Sequence, residues 1–101
     1  MGSRVTIKEL PLEERPRERL VQFGPEHLSA AELIGIILRT GTTNRSAVDL
    51  GKELLATYKD LRGIAKASLG ELAKQIGVGQ VKAVQLKAAF ELGKRVLTAN
   101  P

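Results

Sequence analysis

The sequence holds no cysteine and no tryptophan, and only one tyrosine, two phenylalanines and one histidine. Without cysteine there is no disulfide framework, no thiolate zinc site and no cysteine nucleophile, which fits the reducing cytoplasm. Hydrophobic residues make up 43% of the chain and aromatics only 3%, so a core must be built from Leu, Ile, Val and Ala, a mix that favours packed helices. No apolar run approaches the ~18 to 20 residues of a membrane span, and the N-terminus lacks the apolar centre of a signal peptide. No membrane partner is therefore expected, although Met1-Gly2-Ser3-Arg4-Val5-Thr6 fits the loose N-myristoylation pattern. The Gly-Lys-Ser/Thr of a nucleotide loop and the alternating strands of a dinucleotide fold are also missing. His27 sits beside Pro25 and Glu26 with no second ligand near it in sequence. Glu13, Glu14 and Glu18 lie among arginines with nothing to raise their pKa. No catalytic residue, metal site or cofactor is expected, and the segment reads as something other than an enzyme.

What is present is one domain's worth of chain, 101 residues, with an uneven charge. Residues 1–58 carry eight basic and eight acidic side chains, whereas residues 59–101 carry eight basic against three acidic. The whole formal excess of +5 thus lies in the second half. A basic half is what a polyanion partner needs, and it is equally what a solvated surface looks like.

The local signals are helical almost throughout. Arg4 to Leu10 alternates like a strand but has no second strand to pair with, and Pro11 stops it, so it reads as an extended arm. Leu12 to Arg15 can make a turn, and Pro16 suits the first turn of a helix through Phe23 that stops at Gly24-Pro25, with Leu20 and Phe23 inward. Ser29-x-x-Glu32 is a capping box opening a strongly apolar helix to Arg39-Thr40-Gly41. Ser46 and Asp49 cap a helix to about Tyr58 with Val48, Leu50, Leu54 and Leu55 inward, and Asp60 begins a short connector to about Ala67. Ser68-x-x-Glu71 is a second box, opening a helix with Leu69, Leu72 and Ile76 inward. A long helix from Gln80 to about Thr98 follows, with Val81, Ala83, Leu86, Ala89, Phe90, Leu92, Val96 and Leu97 on its wide apolar face.

Two of these units repeat. Ser29-x-x-Glu32-Leu33 matches Ser68-x-x-Glu71-Leu72, and Gly41 precedes Ala47-Val48-Asp49-Leu50 as Gly77 precedes Ala83-Val84-Gln85-Leu86. The expected fold is all-α: five to six helices forming a tandem, pseudo-twofold helix-hairpin-helix of SAM-like type. Residues 1–28 would be an arm and short helix packed on the bundle, and residues 29–101 the tandem unit, all within one structural domain.

The second turn, Ile76-Gly77-Val78-Gly79-Gln80-Val81-Lys82-Ala83, carries the chemistry. Two glycines two apart reverse the chain without a Cβ clash and leave amides uncovered at the next helix start, an anion site. Ala83 is small where two helices must cross. Lys82 falls angularly in the apolar sector of its helix yet lies one turn from its start, so its amine can project over the hairpin toward a phosphate on the amides of Val78, Gly79 and Gln80. Lys74 and Lys87 flank the site. A C-cap followed by a tight turn, common in any bundle, explains the glycines equally well when they are taken alone. In the first unit Thr43 stands opposite Gly79 and Ser46 opposite Lys82, so that hairpin reads as scaffold, or as a weak second contact through Arg45.

Ile7-Lys8-Glu9-Leu10-Pro11, Glu14-Arg15-Pro16-Arg17-Glu18-Arg19-Leu20, Phe23-Gly24-Pro25, Leu28-Ser29-x-x-Glu32-Leu33, Leu38-Arg39-Thr40-Gly41-Thr42 and Ile76-Gly77-Val78-Gly79 with Lys82-Ala83 together resemble the N-terminal domain of the RadC family, bacterial proteins labelled as DNA repair factors. The resemblance covers nearly the whole chain. It implies a DNA-binding helix-hairpin-helix domain, followed in full-length members by a JAB/MPN-type domain whose His-x-His and Asp motif binds zinc in a metallohydrolase or peptidase. That second domain is absent from these 101 residues. Family members often carry proline where Gln80 stands, and glutamine leaves an extra N–H at the helix start. Two functions follow as expectations: a DNA-backbone grip without base specificity through Gly77, Val78, Gly79, Gln80, Lys82, Lys74 and Lys87, or a protein-interaction or autoregulatory role toward the JAB/MPN-type domain. Scarce aromatics argue against single strands as the DNA ligand. The oligomeric state and the role of Arg15 to Arg19 are open.

Overall fold

Four serine- or aspartate-capped starts set the helix boundaries. In a computed structural model, which describes residues 6–99, Ser29 Oγ accepts from Glu32 N–H while Glu32 accepts from Ser29 N–H, opening α2 (Ala30–Leu38). Ser46 with Asp49 opens α3 (Ala47–Tyr58), and Ser68 with Glu71 opens α5 (Leu69–Ala73) in the same reciprocal way. Asp60 alone caps α4 (Leu61–Lys66), accepting from Gly63 N–H at 2.7 Å. Each cap satisfies an amide that the helix cannot, typically worth ~1 kcal/mol. Ahead of them lies α1 (Arg15–Phe23), with Pro16 in its first turn and Gly24 at φ 92 ending it. Last comes α6 (Gly79–Thr98), twenty residues long. Among the described residues there is no strand, so the fold is all-α as the sequence implies.

The most extensive helix packing joins α2 to α3 and α5 to α6, with α2 also against α6. These are the two repeated units, and their apolar faces meet in one core whose largest fully buried side chains are Leu38, Leu50, Ile64, Leu72 and Leu86. Ala83 is 0% exposed at the α5–α6 crossing, as its size requires. In the first unit Gly51 permits the close approach of α3 to α2, where a Cβ would stand 2.7 Å from the Ala31 carbonyl oxygen.

Several expectations need correction. Ile7–Glu9 is a 3-10 turn closed by Thr6 and Glu9, so the arm is coiled over its described part; Arg4, Val5 and the Met1–Thr6 pattern lie wholly or partly outside the described residues. So short a segment does not make a strand without a partner ladder, and the capping pair decides instead. Phe23 is half exposed, its ring lying under the Arg19 guanidinium at 5.8 Å, and Pro16 is the buried residue of α1. Ile76 is 75% exposed, because α5 ends at Ala73 and the chain has turned before Ile76. On α6 only Ala83 and Leu86 are buried, whereas Val81, Leu92, Val96 and Leu97 are 65–88% exposed. From Glu91 to its end every residue of the helix is exposed, so no other described element covers its last turns.

The Arg15–Arg19 segment has a structural role that composition did not reveal. Arg15 donates to the carbonyls of Leu10 (2.9 Å) and Lys8 (2.8 Å), holding the N-terminal turn, while Arg19 pairs with Glu32 at 3.0 Å and donates to His27 O at 3.3 Å.

Candidate functional site

The turn between α5 and α6 has the conformation its glycines permit. Gly77 (φ 84) and Gly79 (φ 68) both lie in the left-handed region. A Cβ on Gly77 would press on Leu50 and Thr42 at 2.8 and 2.9 Å, so this residue also seats the second hairpin against the first. A Cβ on Gly79 would meet nothing within 4 Å, which leaves its backbone face open to solvent.

Alone among α2 to α6, the start of α6 has no side-chain cap. The N–H groups of Gly79, Gln80 and Val81 have no hydrogen-bond partner among the described residues. They are the orphan donors that any helix start leaves, here uncovered on a helix long enough for a full dipole. Val78, by contrast, donates its N–H to Gln75 O at 3.0 Å and buries its side chain at 5% exposure. It is a floor to the turn and contributes no free amide. Val81 N–H takes its place in the set, a donor that residue types could not reveal because its side chain is merely apolar and exposed.

Lys82 reaches back over the turn. Its Nζ donates to Gly77 O at 3.2 Å and to Thr40 O in the other unit. An ammonium has three donors, so one remains, and both acceptors are neutral, so the positive charge is not cancelled. The helical angle of Lys82 is explained: the stem crosses the apolar sector and the head ties the two hairpins together. Lys87 departs from expectation. Instead of flanking the turn it donates to Ala65 O (3.0 Å) and Ala67 O (2.8 Å), closing the end of α4. Lys74 is exposed and makes no salt bridge among the described residues.

The equivalent turn between α2 and α3 is filled from within. Glu13 accepts from Gly41 N–H through one oxygen and from Ala47 N–H through the other at 2.9 Å, while Thr42 N–H donates to Arg45 O at 2.7 Å. No local pattern announces these bonds, since Glu13 lies 28 and 34 residues from its donors.

Two carboxylates of the capping boxes are held below their ordinary range. Donation from the Ser29 backbone N–H does this for Glu32, against the opposing effect of burial and with help from the Ser29 hydroxyl and Arg19. Donation from the Ser68 backbone N–H does it for Glu71. Both groups serve helix starts. Among the described residues no three His, Cys, Asp or Glu side chains come together as a metal site, and no helix is long and apolar enough to cross a membrane.

Comparison with known proteins decides the family. Residues 7–84 match the family model described as UPF0758 N-terminal. The chain belongs to the UPF0758 family. It is 54% identical over 95 residues to a UPF0758 protein of Moorella thermoacetica, an alignment covering 94% of this chain and 42% of that protein. It is 48% identical over 96 residues to UPF0758 protein TTE0897 of Caldanaerobacter subterraneus, covering 95% of this chain and 41% of that one. The chain thus spans about 42% of the length of the UPF0758 relatives it matches, in keeping with the N-terminal domain of a RadC-like protein. No solved structure matches it.

Proposed function

We propose that this UPF0758 N-terminal domain binds DNA through its sugar-phosphate backbone, without base specificity, at the α5–α6 hairpin. The observation that carries this reading is the open start of α6, with three unpaired amides beside an ammonium whose charge no carboxylate cancels. A phosphate oxygen can accept from the amides of Gly79, Gln80 and Val81, and the third Lys82 donor and Lys74 supply charge. Lys87 contributes field only, because its head is committed to α4. With roughly two cations engaged, the log–log salt slope should be near −2, a weak and salt-sensitive grip.

Gln80→Glu tests this cleanly. Gln80 is exposed, and a carboxylate in the first turn of α6 complements the helix dipole, so the fold should gain about 0.3–1 kcal/mol. The same carboxylate repels phosphate. Fluorescence anisotropy with duplex and branched DNA at low salt should show a severalfold loss of affinity in a protein that is no less stable. Unchanged DNA affinity in this variant would reject the site.

A second reading, docking of a protein partner, is favoured by the other end of α6. There Leu61, Ala65, Phe90 and Leu97 line a groove between α4 and α6 flanked by Arg62 and Lys94. In UPF0758 relatives, whose length is more than twice the matched region, the JAB/MPN-type domain implied by the RadC resemblance is the partner this reading names. It requires the DNA titration to be flat even at about 50 mM salt.

A further inference from the structure

The α2–α3 hairpin already holds an anion. Its two donors belong to the turn residue Gly41 and to Ala47, the first residue of a twelve-residue helix, and its acceptor comes from a distant 3-10 turn, Leu12–Glu14. Glu13 is not a cap in the ordinary sense. The cap positions of α3 are taken by Ser46 and Asp49, which bond each other's amides at 3.1 and 3.2 Å. Beside the Glu13 carboxylate lies a cavity of about 280 Å³ whose walls include Thr42, Thr43, Asn44 and Arg45, with Asp49 the other acid facing it. The side chains of Thr42, Thr43 and Asn44 have no hydrogen-bond partner among the described residues, and Arg45 is held only by a half-exposed ion pair to Glu53 at 3.3 Å. A tetrahedral phosphate or sulfate presents the same pair of oxygens as a carboxylate, and has two more to turn toward those donors.

We propose that the α2–α3 hairpin is an oxyanion site of the phosphate and sulfate class that Glu13 keeps filled, so that the Leu12–Glu14 turn acts as an internal competitor closing this hairpin to external phosphate. Tethering gives the carboxylate a high effective concentration, so the intact chain leaves the site no vacancy. This site is independent of the α6 start, since its donors belong to the α2–α3 hairpin and its anion to the Leu12–Glu14 turn.

Chemical rescue tests it. Glu13→Ala removes the tethered oxygens and orphans two amides, one of them on the buried Ala47, so the variant should melt below the parent in chloride. Sulfate at a few millimolar and matched ionic strength should raise its melting temperature more than the parent's, and should move the Gly41 and Ala47 amide resonances in a saturable way that the parent does not show. Glu13→Gln keeps the shape with a neutral acceptor and guards against a misfolded alanine variant: its two amides should respond to sulfate more than the parent's do. Amides that ignore sulfate in both variants overturn the proposal, as does an alanine variant whose gain in sulfate does not exceed the parent's. Duplex DNA in place of sulfate distinguishes the source: shifts at the same amides assign the site to phosphodiesters, and shifts with sulfate alone assign it to small oxyanions.

Discussion

The two hairpins of this domain share a pattern of residues and differ in what meets their amides. At the first, Ser46, Asp49 and Glu13 satisfy the helix start from three directions. At the second, the helix begins four residues earlier relative to the repeated alanine, no side chain caps it, and a lysine stands where the first unit has its capping serine. One repeated pattern of residues thus stands at two different turns, a joint in the first and an uncapped helix start in the second. Two things separate them: Gly77 and Gly79 take a left-handed φ that neither Gly41 nor Thr43 takes, and the side chains brought to the turns carry opposite charge, a carboxylate at the first and an ammonium at the second.

The glycines test this contrast most severely. A Cβ on Gly41 would stand 1.9 Å from Arg45 O and 2.5 Å from the Ser46 carbonyl carbon, both backbone, so Gly41→Ala should cost about 3 kcal/mol or more. Gly77→Ala meets two side-chain methyls and a left-handed φ, for a loss of about 2–4 kcal/mol. Gly79→Ala faces open space and should cost only the conformational term, about 1–2 kcal/mol. Urea denaturation of the three variants would rank them; a Gly79→Ala loss equal to that of Gly41→Ala would show that the second hairpin is as closed as the first.

A lysine pair sharpens the contrast further. Lys82→Met removes the bond to Thr40 that ties the hairpins together and the bond to Gly77 within the second, and should lower stability by about 1–2 kcal/mol as well as weakening DNA binding. Lys74→Met should weaken DNA binding, reduce the salt slope by about one, and leave stability within about 0.5 kcal/mol. If both variants lose DNA affinity with no change in stability, Lys82 does not tie the hairpins together.

The smallest effect distinguishes the opening helices. Glu32 titrates lower in the folded chain than in the unfolded one, so its contribution is present above the unfolded carboxylate range and is lost as pH falls through its folded value. Glu32→Gln should flatten that acid limb by no more than about 1 kcal/mol, since the Arg19 pair is partly solvated. Glu71 is shifted in the same direction without an arginine partner, so Glu71→Gln should flatten it less. Equal slopes in pH-dependent urea melts would remove Arg19 from the account.

Local signals were legible where the physics is local. Ser29, Ser46, Asp60 and Ser68 fixed four helix starts, and Ala83 marked a close crossing, because caps and steric limits act within a few residues. The anomalous angle of Lys82 pointed correctly to the hairpin, but its bond to Thr40, 42 residues away, could not be read from a single strand of text. Glu13 was invisible for the same reason. Lys87 and Ile76 were misread because helical periodicity says which residues share a face and not where the neighbouring element ends.

The most direct test is an amide chemical-shift titration of the intact domain with duplex DNA at low salt. Gly79, Gln80 and Val81 should move together and saturate, with the effect collapsing as salt rises, while Gly41 and Ala47 stay fixed behind Glu13. Shifts that leave the α6 start unmoved, or that appear instead along α4 and residues 90–98, would contradict the account and place the working surface at the other end of the helix.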